Sequence, residues 1–248
     1  MKLERKTIAD LKKVAYVGDN YLDGPPRALV VNHQGLGAPE FRKGPGIEEY
    51  LWQKAGALVL FPYSHPWGWM NREARAFVDE LIADTFRLYG LGPEIPIIAA
   101  GGSMGGCSAL LQARYSRHPV VGCLAIYPVC DTAYHFTERP DLPRTMFLAF
   151  GGYEGTFEEA LAEQSPLAQA EQMPDIPYCL IHGDADKAVG KEMHSDKFVR
   201  RLRDLGRKVD YLEVPGYGHE GWSNQRVVLD KIVGFVTSLI PQLFPRHG

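Results

Sequence analysis

The sequence predicts an α/β protein: a mainly parallel central sheet with helices on both faces. Three observations predict it. Short β-branched runs are apolar on both faces, helical patterns lie between them, and one strand turns directly into a helix through a glycine-rich corner. In chain order, KKVAYV and RALVV flank the turn-rich GDNYLDGPP, which reads as an antiparallel hairpin leading into the sheet. Arg27–Asn32, Ala57–Phe61, Ile95–Ala100, Val120–Ile126, Ile176–His182 and Lys208–Val214 read as strands. Phe77, Val78, Leu81, Ile82 and Thr85 recur at helical spacing, as do Val228, Ile232, Phe235, Val236 and Leu239. Strands alternating with helices specify right-handed parallel crossovers.

The stretch Tyr127–Pro174 breaks this rhythm. It is rich in proline, aromatic and charged residues, with one helical pattern around Phe157–Gln164. A structureless loop of that length is unfavourable in a compact domain, so it is expected to form a lid-like, partly helical excursion over one sheet edge. Residues 1–248 otherwise read as one domain.

Composition narrows the function classes. Of 248 residues, 45% are apolar and 23% charged, as in ordinary globular proteins. The net charge of −3, with no long basic run, argues against a nucleic-acid surface. The apolar runs fall far short of the roughly 20 residues that span a bilayer, so no membrane partner is expected. MKLERKTIADLKK is charged and lacks the apolar core of a secretory leader. The four cysteines form no C-x-x-C pair, and three sit in apolar stretches as small buried hydrophobes. The expectation is a cytoplasmic protein.

The strongest chemical signal is Gly101-Gly102-Ser103-Met104-Gly105-Gly106, directly after the strand IPIIAA. It fits G-x-S-x-G with a strand before and a helix after. A strand that turns at once into a helix holds its middle residue in a strained conformation with the hydroxyl pointing out. Side chains two positions away on either side would collide, hence glycine at 101 and 105. The helix N-terminus then places free N–H groups near Ser103, where an oxyanion would develop.

A serine hydroxyl is a weak nucleophile and needs a base, itself oriented by an acid. The strand IPYCLIH ends in His182-Gly183-Asp184-Ala185-Asp186, which offers two carboxylates. The last strand runs into Pro215-Gly216-Tyr217-Gly218-His219-Glu220, a tight loop presenting one imidazole. Both segments reach the sheet rim that carries Ser103.

In this arrangement the chain resembles the α/β-hydrolase superfamily, most closely its dienelactone-hydrolase and prolyl-oligopeptidase-like esterase branch. The resemblance runs from about Arg27 to the C-terminus and weakens in Tyr127–Pro174. GGSMGG resembles that branch's nucleophile elbow. HGDADKAV is similar to its H-G-x-x-D-x-x-V motif, which implies Asp186 as the acid. GYGHE is similar to its histidine loop, which implies His219 as the base. The resemblance also implies an oxyanion hole from the Met104 N–H and a second donor after RALVVN. There His33-Gln34-Gly35 carries Gln34 where the family has glycine, so the second donor is Gly35 or Gln34.

Other candidates read differently. Asp184 and Asp131 are the competing acids. His182 ends a buried strand and reads as a structural histidine, while His33 reads as a loop organiser. His135 and His194 read as surface or packing residues. Gly216–Gly221 satisfies G-x-G-x-x-G, but too little chain follows for a βαβ unit. The histidines and aspartates lack metal-ligand spacing, so neither metal nor cofactor is expected. The loop after ALVLF presents His65, Trp67 and Trp69 at a strand's carboxyl end, where ligands sit. These residues, with Tyr134 and Trp222, are candidate substrate contacts; alternatively Trp67 and Trp69 pack the excursion onto the sheet. The expected function is a serine esterase acting on a small-molecule carboxylic ester. The alternatives are a prolyl-oligopeptidase-like peptidase, for whose β-propeller 248 residues leave no room, and a non-catalytic binding protein on the same fold.

Overall fold

The computed structural model describes residues 5–37, 41–219 and 225–242. Its strands are β1 (Ala15–Gly18), β2 (Ala28–His33), β3 (Ala57–Pro62), β4 (Ile97–Gly102), β5 (Val120–Ile126), β6 (Tyr178–Gly183) and β7 (Val209–Val214). They form one sheet in the order β1-β3-β2-β4-β5-β6-β7. Only β1 is antiparallel to its neighbour; every other pairing is parallel.

The expected hairpin between β1 and β2 does not form. β1 pairs with β3, and β2 lies between β3 and β4. The reason is burial: β2 is buried along nearly its whole length, so both its edges need hydrogen-bonding partners. The four-residue β1 takes the remaining edge of β3 instead. β4 also starts two residues later than its apolar run. Pro96 has no N–H to give to a ladder, and its carbonyl accepts from the Leu29 N–H at 2.9 Å.

The helices are α1 (Ile8–Leu11), α2 (Ile47–Lys54), α3 (Arg72–Tyr89), α4 (Met104–Tyr115), α5 (Thr132–Glu138), α6 (Leu142–Phe150), α7 (Phe157–Glu163), α8 (Ser195–Asp204) and α9 (Arg226–Ser238). α3 starts at Asn71, whose side chain accepts from the Ala74 N–H, and stops at Gly90 in the left-handed region. The period-two alternation of the strands splits the core in two. Leu29, Val31, Leu58, Ala99, Cys123 and Leu180 pack with α3, α4 and α8. Val30, Val59, Ile98, Leu124 and Ile181 pack with Trp52 of α2 and with α9. Cys107, Cys123, Cys130 and Cys179 are all buried and free, and burial pushes each thiol above its ordinary pKa. Among the described residues, no helix is long and apolar enough to cross a membrane.

Residues 127–174 contain three helices, α5 to α7, and a 3₁₀ turn at Ala170–Gln172. Rather than covering a sheet edge, they join the α3–α4 side of the core through Leu142, Met146, Phe150, Ala160 and Leu161. Polar anchors fix them there. Arg72 and Arg75 of α3 both pair with Glu163, at 2.7 and 2.9 Å. The buried Trp69 donates its indole N–H to Thr145 Oγ1 of α6 at 3.0 Å. Thr145→Val keeps the volume but leaves that indole N–H buried without an acceptor, which should cost about 1–3 kcal/mol. Urea unfolding of the two proteins checks this; equal midpoints would show that the bond contributes nothing.

Candidate active site

Because β2 and β4 to β7 all run parallel, their carboxyl ends share one rim. Ser103 stands between β4 and α4 with φ 58° and ψ −126°, a strained conformation for a side chain other than glycine. The backbone crowds it closely. A Cβ at Gly101 would overlap the Gly105 carbonyl, and one at Gly105 would overlap the carbonyls of His33 and Gln34. The two glycines thus let the elbow pack against the loop after β2. Met104 is the first residue of α4, so its N–H has no acceptor within the helix.

Three side chains converge on this rim. The Ser103 hydroxyl donates to His219 Nε2 at 2.9 Å, and His219 Nδ1 donates to Asp186 Oδ2 at 2.7 Å. Asp186 Oδ1 accepts from the N–H groups of Ala188 and Val189, at 2.8 and 3.0 Å. His182 Nε2 donates to the Val189 carbonyl and lies 3.3 Å from Asp186 Oδ2, while its Nδ1 accepts from the Ser195 hydroxyl. Burial by itself would raise the Asp186 carboxyl. The hydrogen bonds from His182, His219 and the Val189 N–H outweigh it and hold the group well below the usual carboxylate range. The competing acids are occupied elsewhere: Asp184 accepts from the Gly216 N–H, and Asp131 caps α5 through the Tyr134 N–H.

The loop after β2 is tied down on two sides. His33 is buried with its Nε2 2.7 Å from Gln112 Oε1 of α4. Gln34, where the pattern calls for glycine, turns its amide away to donate to the carbonyls of Ser64 and His65, at 3.0 and 3.2 Å. The Gly37 N–H goes to the Pro66 carbonyl. The loops after β2 and β3 are therefore one hydrogen-bonded unit beside Ser103.

A pocket of about 310 Å³ opens over Ser103 and His219, walled by Leu36, Trp69, Tyr127, His135 and Arg139. Of the expected substrate contacts that fall among the described residues, it takes in only Trp69. His65 faces a separate pocket beside α3. Trp67 packs edge-on against His65, with ring centroids 5.6 Å apart. Tyr134 packs on His194 at 5.7 Å, and Trp222 lies outside the described residues. Trp69 both walls the pocket and holds α6. Gly35 lines a neighbouring cavity of about 340 Å³ that shares Gly102 and Tyr127 with the first.

Tyr127, Arg139 and the pocket position of His135 were not legible as site features in the sequence. Tyr127 places its ring 4.5 Å from that of His219. Of the non-glycine residues with left-handed φ among those described (Trp69, Met70, Ser103 and Tyr127), all but Met70 wall this pocket. No residue type announces such a conformation outside glycine, asparagine and aspartate.

One cluster has metal-ligand chemistry: His135, Glu138 and His194, whose ligand atoms lie within 4.8 Å of one another. Its hydrogen bonds fit protons better than an ion. His194 Nδ1 accepts from the N–H groups of Cys130 and Asp131, both at 3.1 Å. Its proton therefore sits on Nε2, which donates to Glu138 Oε2 at 3.1 Å. Glu138 also accepts from His135 Nδ1 at 2.6 Å and from the Gly190 N–H at 2.8 Å. An ion would have to displace both imidazole protons. The network instead ties α5 to the loop that carries Asp186.

Comparison with known proteins places this arrangement. An acylaminoacyl peptidase, solved in complex with Z-Gly-Gly-Phe-chloromethyl ketone, matches with a TM-score of 0.71 at 16% identity, over 92% of this chain and 39% of that one. Esterase PE8 matches with a TM-score of 0.62 at 19% identity, over 92% of this chain and 99% of that one. The fold is that of the α/β-hydrolases. The sequence model of the prolyl oligopeptidase family matches residues 92–241, more than half of the chain. The chain belongs to that family. Among curated proteins, the cysteate synthase of Methanoregula boonei is 28% identical over 140 residues, 56% of this chain and 30% of that protein. The chain thus spans less than half the length of the peptidase and of the synthase.

Burial holds the His33 imidazole down at about 4, below its ordinary 6.5, although its bond to Gln112 pulls the other way. The folded state therefore binds that proton less readily than the unfolded chain does. Its stability should fall as pH drops from about 6.5 towards 4, by on the order of 3 kcal/mol from this group. Thermal midpoints across that range, compared with those of a His33→Gln protein, isolate the term. An equally steep fall in both proteins would assign it to other groups.

Proposed function

We propose that the protein is a carboxylic ester hydrolase in which Ser103 is the nucleophile, His219 the proton shuttle and Asp186 the acid that orients it. The observation that carries this reading is the continuous hydrogen-bonded chain from the Ser103 hydroxyl through His219 to Asp186. Ser103 Oγ attacks the acyl carbon as its proton passes to His219 Nε2. The tetrahedral oxyanion is held by the Met104 N–H and by an N–H of Gly35 or Gln34. The imidazolium then protonates the departing alkoxide, and an acyl-enzyme remains. Water, activated by the same imidazole, releases the acid and restores the serine. Asp186 stays ionised throughout. It holds the proton on Nδ1 and offsets the charge that appears on the ring, and the donors around it keep it from protonating in that role.

The esterase reading draws support from esterase PE8, which this chain matches over nearly the full length of both. A peptidase reading draws on the family itself and on the acylaminoacyl peptidase likeness. A panel of acetyl, butyryl, feruloyl and aminoacyl esters, run beside aminoacyl and prolyl peptides, separates them. Turnover confined to the peptides would overturn the esterase reading.

Ser103→Ala should lower turnover of a short nitrophenyl ester by roughly 10⁴- to 10⁶-fold and abolish covalent labelling by a fluorophosphonate. Asp186→Asn should keep the fold but lose about 10⁴-fold in kcat, because its amide no longer enforces the imidazole tautomer. Intact-mass measurement of the fluorophosphonate adduct is the direct check. A labelled Ser103→Ala protein, or an unlabelled wild type, refutes the assignment.

A further inference from the structure

The pocket over Ser103 and His219 has a mixed lining of Leu36, Trp69, Tyr127 and His135, and its one permanently charged side chain is Arg139. The carboxylates that contact its two histidines do not face it as free anions. Asp186 is engaged by His219, His182 and backbone donors, and Glu138 by His135, His194 and the Gly190 N–H. Arg139 caps the end of α5 in the excursion and is itself clamped from outside. Its Nε and Nη2 donate to Asp141 Oδ1 and Oδ2 at 3.0 and 2.6 Å. That fork-to-fork pair fixes the guanidinium plane and uses two of its five N–H donors. The rest, including both hydrogens of Nη1, have no acceptor among the described residues. Asp141 is more than half exposed, whereas Arg139 is about one-third exposed. Arg139 lines the pocket and Asp141 does not, so of the two partners it is the cation that borders the site.

We propose that Arg139 is the recognition group for a substrate carboxylate, so that the site prefers esters carrying an anionic carboxylate a few bonds from the scissile carbonyl. This rests on the serine hydrolase reading above and adds the substrate class to it. The physical ground is a set of unpaired guanidinium donors on the wall of a small pocket whose lining holds no free carboxylate. A carboxylate there gains charge-assisted hydrogen bonds, and a neutral acyl chain of the same length gains none. The pocket volume, at the lower end for ligand sites, suits a short half-ester of a dicarboxylic acid better than a long acyl chain. The excursion supplies the cation while the sheet rim supplies the reacting groups, so specificity and chemistry come from separate parts of the chain.

The test has two arms that locate the carboxylate. Mono-4-nitrophenyl glutarate against 4-nitrophenyl butyrate places it on the acyl side. 3-Carboxyphenyl butyrate against phenyl butyrate places it on the leaving group. In one arm the anionic ester should exceed its neutral partner in kcat/KM by roughly 10- to 100-fold. Arg139→Gln should bring that ratio down to near one, Arg139→Lys should keep part of it, and Asp141→Asn should not lower it. Glutarate should also slow fluorophosphonate labelling of Ser103 in the wild type more than in Arg139→Gln. A wild type that labels at Ser103 but shows no anionic preference in either arm overturns the role of Arg139 and leaves the hydrolase reading standing. So does a preference that survives in Arg139→Gln. A protein that takes no label at Ser103 overturns both.

Discussion

The rest of the site depends on one close approach of backbone to backbone, where the corner between β4 and α4 meets the loop after β2. Gly101, Gly105 and the carbonyl of His33 leave no space for a side chain. That contact forces Ser103 into its left-handed conformation and brings the free N–H groups at the start of α4 beside the loop that would supply a second donor. The strain is local and would relax in an isolated peptide. It persists because β4 is hydrogen-bonded on both edges and α4 is buried along most of its length.

Around this corner the protein uses the same device repeatedly: a carboxylate taken out of water and surrounded by donors. Asp186 receives two backbone N–H groups and two imidazoles, and Glu138 receives two imidazoles and one backbone N–H. Glu49, wholly buried on α2, is held by Arg42, by Asn32 of β2 at 2.6 Å and by the Gly46 N–H at 2.8 Å. Each cluster joins separate stretches of the chain at or beside the rim. A buried charge satisfied in this way stabilises weakly but admits only one geometry, since removing any donor leaves the anion exposed to a low dielectric. Alignment of the rim is what such clusters secure.

Much of this was legible in the sequence, and what was not has physical reasons. The buried strands announced themselves through continuous apolar runs, and the elbow through the glycines its crowding demands. Edge pairing did not: β1 and β2 are neighbours in sequence, but the demand of β2 for partners on both edges is a property of the whole sheet. Helix α6 was hidden by Pro143 near its start, which reads as a break although it suits a first turn. Trp67 and Trp69 looked equivalent; the left-handed backbone at Trp69 sends one into the pocket and leaves the other on His65. Arg139 carried no signal in the sequence, because nothing in its neighbours reveals that it lies beside Ser103. Gln34 departs from the glycine of the family pattern, and its amide found a use in joining two loops.

The four sheltered sulfurs have a practical consequence. Each lies in the interior with its proton held tightly, and none is bridged to another. Alkylating reagents attack the thiolate and require access to it. They therefore meet an inert surface until the interior opens. Cys123 and Cys179 sit on adjacent central strands, Cys107 lies against the excursion and Cys130 within it. The order in which they become modifiable would reveal whether that segment detaches before the sheet comes apart, with no reporter group added to the molecule.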